Sequence, residues 1–479
     1  MNVSIPLGGR VSGTRLAKLL GDWRRSGSRH GASDLAAAVR LCVLDGRLLT
    51  GTRLPAEREV AESLGVSRTL IGAALDRLRA EGLVASRQGA GSWITAPEAE
   101  EFEPARANLD LIDLTRASPP AVPGLLAAMD SVRNTLTPEL LDTGHLVRGL
   151  PILRERIARR YTERGLPTDP DQIVITNGAQ NAFAIVLRAL TSPGDRVLLE
   201  QPCYPNTPEA IRAASILPVV VAVDPEAGWD VDGIEAALRQ AGPRLAYFVV
   251  DFHNPTGLRM PATQREHLAA VLANTRTLAV VDETVAELGL DEDTEEPVPP
   301  LGAFAGDWAI TIGSAAKSHW GGLRLGWLRA SEELVGRILS ARHSLDLGSP
   351  VFEQLVLAEL LATDHILPRR RAVIRPRRDA LVAAVREHCP EWTFRIPGGG
   401  LSLWCGLPEP MSTRLSVAAV NHGVRIVPGA RFGVHGGLER WLRLPYTQEA
   451  ERLDEAVRRL GLAASTLRPA PQATESTVT

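Results

Sequence analysis

Lysine is nearly missing from this 479-residue chain: of 53 basic residues only Lys18 and Lys317 are lysines, and arginine supplies the rest. Arginine is the default cation here, so the lysine kept inside GSAAKSHWGGLRLGW (313–327) asks which chemistry at that spot needs an amine. Cysteine is scarce as well. Cys42, Cys203, Cys389 and Cys405 are scattered, form no CxxC pair and have no metal-ligand spacing. That pattern argues against zinc and against a disulfide framework, and it fits a reducing compartment. No apolar run reaches the roughly 18 to 20 residues of a membrane span, and the start, MNVSIPLGGRVSGTRLAKLL, lacks a signal peptide's apolar stretch and cleavage site. The expectation is a cytoplasmic protein with no metal and no membrane partner.

What is present is ordinary for globular protein: 44% apolar and 23% charged residues, with length enough for two or three domains. The net charge of −3 conceals an asymmetry, because residues 1–96 carry +6 and the remainder −9. The N-terminal end is therefore suited to a polyanion.

Residues 34–95 read as three helices and a hairpin. Leu35, Val39 and Val43 repeat at helical spacing up to the turn signal Asp45-Gly46. Pro55 opens a second helix, Ala56 to Leu64, which stops at Gly65; Ser67 then caps a third with the apolar stripe Ile71, Leu75 and Leu78. Two helices about a short glycine turn make a helix-turn-helix, whose second helix can enter a major groove. LVASRQ and SWITA, broken by Gly89-Ala-Gly91, read as a two-stranded wing. The stretch GRLLTGTRLPAEREVAESLGVSRT resembles the winged helix of the GntR regulators. The resemblance implies that Arg58, Ser67, Arg68 and Thr69 touch DNA and that Gln88 and Gly89 sit at the wing tip near the minor groove. Arg68 is the candidate for a bidentate guanine contact, and Arg53 and Arg58 suit phosphates. Leu70 and Gly72 stand where relatives carry polar residues. A winged helix serving only protein interaction is the plain alternative, against which the positive charge speaks.

Around this module the expected divisions are an N-terminal segment, 1–33, with a short amphipathic helix at 15–25 that packs on the winged helix or on a partner subunit. The DNA-binding module follows at 34–96, then a linker at 97–109, an effector domain at 110–465 and a disordered tail at 466–479.

From residue 110 onward, short apolar runs alternate with helical stretches: QIVIT, RVLLE, PVVVAV, LAYFVV, LAVVD, WAITIG and LRLGWL. Seven buried strands separated mainly by helices imply an α/β domain with a mostly parallel sheet and ligands at the carboxyl ends of its strands. Those ends offer Asn177-Gly178-Ala179-Gln180 before a helix, Tyr204, Asp251-Phe-His253-Asn254-Pro-Thr-Gly257, Asp282, and Ser314-Ala-Ala-Lys317 with Arg324. An anion cradle, an aromatic, an asparagine, an aspartate and a lysine together suit a phosphorylated aromatic aldehyde. Their order resembles the pyridoxal-phosphate aminotransferases of fold type I, in which the aldehyde condenses with an amine that arginine cannot replace.

The resemblance implies a Schiff base (aldimine) between pyridoxal 5'-phosphate (PLP) and Lys317, with Asp282 pairing the pyridinium nitrogen and Asn254 on the 3-hydroxyl. Gly178, Ala179 and Gln180, with Ser314 and Arg324, would hold the phosphate, and Tyr204 would stack on the ring. The segment VPGARFGVHGGLERWLRLPYT resembles the family's carboxylate-binding segment, which puts the substrate or effector carboxylate on Arg443. A smaller C-terminal α/β subdomain belongs to the same fold.

Winged helix and aminotransferase-like domain together resemble the MocR group of GntR regulators, which implies a homodimer on operator DNA that responds to PLP or to an amino acid or amine. Two departures point away from efficient transamination: Asp282 is followed by Glu283-Thr284-Val285 with no tyrosine, and Gly144 is followed by His145 where relatives carry Gly-Tyr. The other readings are a working aminotransferase with an appended DNA-binding module, and a repressor with a relic PLP domain, against which Lys317, Asp282 and Asn254 argue. DEDTEEP (291–297) reads as a solvated loop. RRRAVIRPRR (369–378) reads as a solvated helix face or, secondarily, an auxiliary DNA-backbone surface. His253 reads as a neighbour of the cofactor site.

Overall fold

The computed structural model describes residues 9–24, 30–44, 47–87, 91–95, 111–136, 139–291 and 298–467. Most of the expected linker, wing tip, acidic loop and tail therefore lies outside the described residues. The chain divides into two compact units, one of Met1–Asp113, Glu409–Leu442 and Arg459–Thr479, the other of Leu114–Pro408 and Arg443–Arg458.

The first unit contains the winged helix: α1 (Gly13–Leu20), α2 (Gly31–Leu44), α3 (Glu57–Leu64), α4 (Arg68–Ala80), and the antiparallel wing strands β1 (Val84–Arg87) and β2 (Gly91–Ile94). Ser12 caps α1 by accepting from the Arg15 amide at 3.3 Å. The helix then buries Leu16 and Leu20 among Leu35, Val39, Ile71 and Leu75. So the amphipathic N-terminal segment closes the core of its own winged helix, the first of its two expected positions. Gly65 adopts the left-handed conformation (φ 64°) that ends α3 and permits the tight turn into α4. In the same unit β3 (Ile112–Asp113) pairs in parallel with Val424–Arg425, next to helix Ser412–Asn421.

The second unit is built on one sheet with the order β4-β11-β10-β9-β8-β5-β6-β7. Its strands are β4 (Ile173–Thr176), β5 (Arg196–Gln201), β6 (Leu217–Asp224), β7 (Gly228–Trp229), β8 (Leu245–Phe248), β9 (Leu278–Asp282), β10 (Ala309–Ser314) and β11 (Gly326–Arg329). The pairs β6/β5, β5/β8, β8/β9 and β9/β10 are parallel; β10/β11, β11/β4 and β6/β7 are antiparallel. The sheet thus has eight strands, not seven, because the two-residue β7 folds back on β6. All seven expected strands are present. Both faces are covered, one by a cluster containing α5 (Leu125–Thr135), α6 (Pro151–Glu163) and Val351–Leu361, the other by Ile234, Leu238, Leu268 and Leu272. That explains strand interiors that are apolar without alternation. Beyond the sheet, Thr393–Phe394 pairs antiparallel with Ser402–Gly406.

One expectation is corrected. RRRAVIRPRR lies on the helix Ile366–His388, and of its arginines Arg370, Arg377 and Arg378 are buried, Arg371 and Arg375 half-buried, and Arg369 exposed. Arg370 donates to the carbonyls of Ser318, His319 and Pro120, Arg377 to that of Thr447, and Arg378 to Asp291 at 2.6 Å and the Pro397 carbonyl at 3.0 Å. Arginine can bury its stem and spread five donors over carbonyl oxygens, so a run that looks solvated by composition serves as internal cross-bracing. It is neither a solvated face nor a continuous basic surface.

Candidate functional site

The amine sought at 317 stands just beyond β10, in the π-helical turn Ala316–Trp320. Such turns commonly mark functional positions. Burial, followed by the charges of Arg443 and Arg324, pulls Lys317 down to about 8, with Asp282 acting the other way. An amine so tuned is a nucleophile close to neutral pH. At the end of the neighbouring β9, Asp282 accepts from the Thr284 amide at 2.8 Å and from the Tyr247 hydroxyl at 2.6 Å.

An anion cradle forms where β4 turns into α7 (Ala179–Leu190). Gly178 caps α7 without any side-chain hydrogen bond and has φ 92°. A Cβ there would lie 3.4 Å from Nη2 of Arg324, while a Cβ on Gly326 would stand 2.6 Å from the Gly178 carbonyl carbon, so both positions demand glycine. Arg324, itself at φ 53°, donates to the Asn177 carbonyl at 3.3 Å. Buried Ser314 donates to the Leu325 carbonyl and accepts from the Ala316 amide. Ala179 is half-buried and Gln180 exposed on the first turn of α7. Arg324 and Asn177 line an open cavity of about 550 Å³ together with His145 and the Leu347–Val351 segment.

On the other side, Arg443 is buried and pulled down to about 10 by desolvation. Its Nη2 donates to the Thr115 carbonyl at 2.6 Å and its Nη1 to Asn254 Oδ1 at 3.4 Å. Tyr204, half-buried with its hydroxyl accepting from Asn206, is raised by burial and then by the charge of Asp282, and it also senses Arg443 and Arg324. His253 is buried, with Nδ1 2.9 Å from Thr256 Oγ1 and Nε2 3.5 Å from Glu200. These contacts tie it to Thr256 of its own loop and to Glu200 of β5.

This donor set fits a phosphorylated aromatic aldehyde. An uncapped helix N-terminus with a glycine and an arginine suits a phosphate, a low-pKa amine suits the aldehyde, and a carboxylate held by two donors suits a ring nitrogen. Charge or hydrogen bonding links Arg324, Tyr204, Asn254, Asp282, Lys317 and Arg443 to one another, Gly178 lies against the Arg324 guanidinium, and Ser314 stands three residues before Lys317. Sequence reasoning missed Tyr247 on β8 and the pair of half-buried Arg164 with buried Glu283, whose nitrogen and oxygen lie 2.7 Å apart. Burial raises the Glu283 carboxyl, with Arg164 opposing. The available signal was a hydroxyl in an otherwise apolar strand, which must find a partner when buried.

In the winged helix, the described residues expected at DNA are on the surface. Ser67 caps α4 by accepting from the Leu70 amide, leaving Arg68 and Thr69 exposed on its first turn. Arg58 is exposed on α3 beside Glu62 at 3.0 Å, and Arg53 is exposed between backbone bridges to Arg10 and Trp93. Gln88 and Gly89 lie outside the described residues. Leu70 packs against the core of the module, which accounts for an apolar residue there.

Comparison with known proteins matches two stretches of the chain. The family aminotransferase class I and II matches residues 139–460, and the gntR family of bacterial regulatory proteins matches residues 32–94. An uncharacterized HTH-type transcriptional regulator of Escherichia coli, YdcR, is 29% identical over 462 residues, covering 89% of this chain and 97% of its own. The 2-aminoadipate transaminase of Thermus thermophilus is 32% identical over 311 residues, 64% of this chain and 78% of its own. Among solved structures, LysN, the α-aminoadipate aminotransferase of Thermus thermophilus complexed with N-(5'-phosphopyridoxyl)-L-leucine, superposes with a TM-score of 0.68 at 28% identity, covering 75% of this chain and 93% of that one.

Proposed function

Since the chain belongs to the aminotransferase class I and II family and carries a gntR-family module ahead of that domain, the MocR-type arrangement, we propose that it is a transcriptional regulator that binds operator DNA and senses PLP or an amino compound at Lys317. Pyridoxal 5'-phosphate is the cofactor of its aminotransferase-like domain, and when bound it supplies an aldehyde for amines and an electron sink. The chain's own residues then divide the work. Lys317 offers the amine, Asp282 the carboxylate for the ring nitrogen, and Asn254 the side-chain amide for the ring oxygen. The α7 N-terminus with Gly178, Ala179, Gln180, Ser314 and Arg324 holds the phosphate, and Tyr204 covers the ring. Arg443 takes an effector's carboxylate, which displaces the Thr115 carbonyl now on its Nη2. Residues 34–96 read the operator through Arg68, with Ser67 and Thr69 beside it and Arg53 and Arg58 on phosphates. Gln88 and Gly89 reach the minor groove, and 110–465 act as the sensing domain of a homodimer.

The observation that carries this reading is one chain holding both an exposed recognition helix and a tuned lysine beside Asp282 and Arg443. An operator-binding assay on DNA upstream of its own gene, with and without PLP and candidate amino acids, tests it. The ligands should change DNA affinity several-fold; identical binding curves would refute sensing. A second reading, an active aminotransferase with an appended DNA-binding module, draws on the Arg443–Asn254 contact and on the transaminase relative. Sustained keto acid release would favour it.

A further inference from the structure

We propose that Tyr247 is a positioning residue for Asp282: from the neighbouring strand β8 its hydroxyl holds the carboxylate on which the cofactor's ring nitrogen would rest. The inference builds on the cofactor assignment and adds a residue to it. No tyrosine follows Asp282 at Glu283, Thr284 or Val285, yet the structure brings a phenol to the aspartate from outside its own strand. Tyr247 Oη donates to Asp282 Oδ2 at 2.6 Å, while Asp282 Oδ1 takes the Thr284 amide at 2.8 Å. Each carboxylate oxygen is thereby tied to a separate element, which fixes the plane of the group.

The phenol is itself held. Its ring packs against Phe183 of α7 with centroids 4.8 Å apart, and its oxygen lies beside the side chain of Thr207 on the helix Asn206–Ala213. Burial, then the charge of Asp282, keeps the hydroxyl protonated far above its ordinary range, so it serves only as a donor to the carboxylate at any working pH. Tyr247 thus reaches Asp282 from a position backed by Thr207, on the helix that follows Tyr204. Among the described residues Glu200 also senses Tyr247, Tyr204 senses Asp282, and Lys317 senses Asp282 together with Arg443 and Arg324.

Removing the hydroxyl leaves more negative charge on a less fixed Asp282, and a proton on the lysine-linked cofactor is then held more firmly. Full-length Tyr247→Phe should bind PLP about tenfold more weakly. The pH midpoint of its visible absorbance band should move upward by roughly half a unit. Thr207→Val, which removes only the hydroxyl beside Tyr247, should move the midpoint the same way by less. Phe183→Leu, which loosens the packing of the ring but keeps the hydroxyl, should leave it in place. The proposal is overturned if Tyr247→Phe keeps the wild-type affinity and midpoint, or if Phe183→Leu shifts the midpoint as far. Should Tyr247→Phe not fold, an unmoved midpoint in Thr207→Val overturns it. Wild-type protein without any band would instead remove the cofactor assignment on which it rests.

Discussion

The helix-turn-helix and the candidate cofactor neighbourhood are built on opposite electrostatic terms. Arg58 and Arg68 stand in solvent, Arg58 beside a similarly exposed Glu62, whereas Arg443 is buried with its guanidinium spent on the Thr115 carbonyl and Asn254. A polyanion is met by exposed charge whose worth falls with salt. A small ligand is met by groups already desolvated, whose pKa values have moved because water is gone. Lys317, pulled down to about 8, belongs to the second kind. Substitutions should therefore fail in distinct ways in the two regions: all-or-none chemistry in one, graded and salt-dependent binding in the other.

The largest effect should come from Lys317→Arg, which keeps the charge and loses the amine. The visible band expected of PLP-loaded wild type, and the product of borohydride reduction onto this residue, should vanish. A band that persists would place the chemistry on another amine. In the wild type the lowered pKa of Lys317 sets the sign of the pH dependence: capture of PLP should quicken as pH rises through about 8, where Lys317 loses its proton, well below an ordinary lysine. Stopped-flow rates from about pH 6.5 to about 10 check this, and a midpoint at an ordinary lysine's value of about 10.4 would remove the tuning ascribed to burial, Arg443 and Arg324.

Arg443→Met should come next. Amino acids should lose about 3 kcal/mol of affinity for the cofactor site, the scale of hydrogen bonds to a charged group, while amines without a carboxylate should be nearly unaffected. Competitive spectroscopic titrations separate the two classes, and equal losses for both would take Arg443 out of carboxylate recognition.

Smaller changes are expected at the DNA surface. Arg68→Ala should cost about 2 kcal/mol and relax preference at one base pair, whereas Arg58→Ala should weaken all sequences alike and reduce the salt slope by about 1. Binding isotherms on a panel of operator variants at several salt concentrations distinguish base readout from phosphate contact. Unchanged specificity in Arg68→Ala would leave the comparison without its reader.

These contrasts also explain what was legible in the sequence. Strands such as RVLLE and WAITIG announce themselves because both faces of a parallel sheet are buried, and a cap such as Ser67 acts through its own backbone neighbours, so local pattern suffices. The strand Gly228–Trp229 escaped because two residues have no periodicity. The buried arginines of RRRAVIRPRR escaped because their partners, among them Pro120, Ser318 and Thr447, are remote in sequence. Tyr247 escaped for the same reason, its partner Asp282 lying 35 positions away. The candidate cofactor residues stand out by their order and spacing at strand ends. The cross-bracing that tunes them exists only once the chain has folded.

The most direct test is a PLP titration of the full-length protein with and without saturating operator DNA, followed in the same samples by an assay for keto acid release. If the site is a sensor, DNA and ligand affinities are linked by thermodynamic necessity, and operator should change the apparent PLP affinity by about 5- to 150-fold, a coupling of about 1 to 3 kcal/mol, with little keto acid formed. Identical PLP affinities in both titrations, together with many turnovers per minute, would contradict the regulator and establish a working aminotransferase in its place.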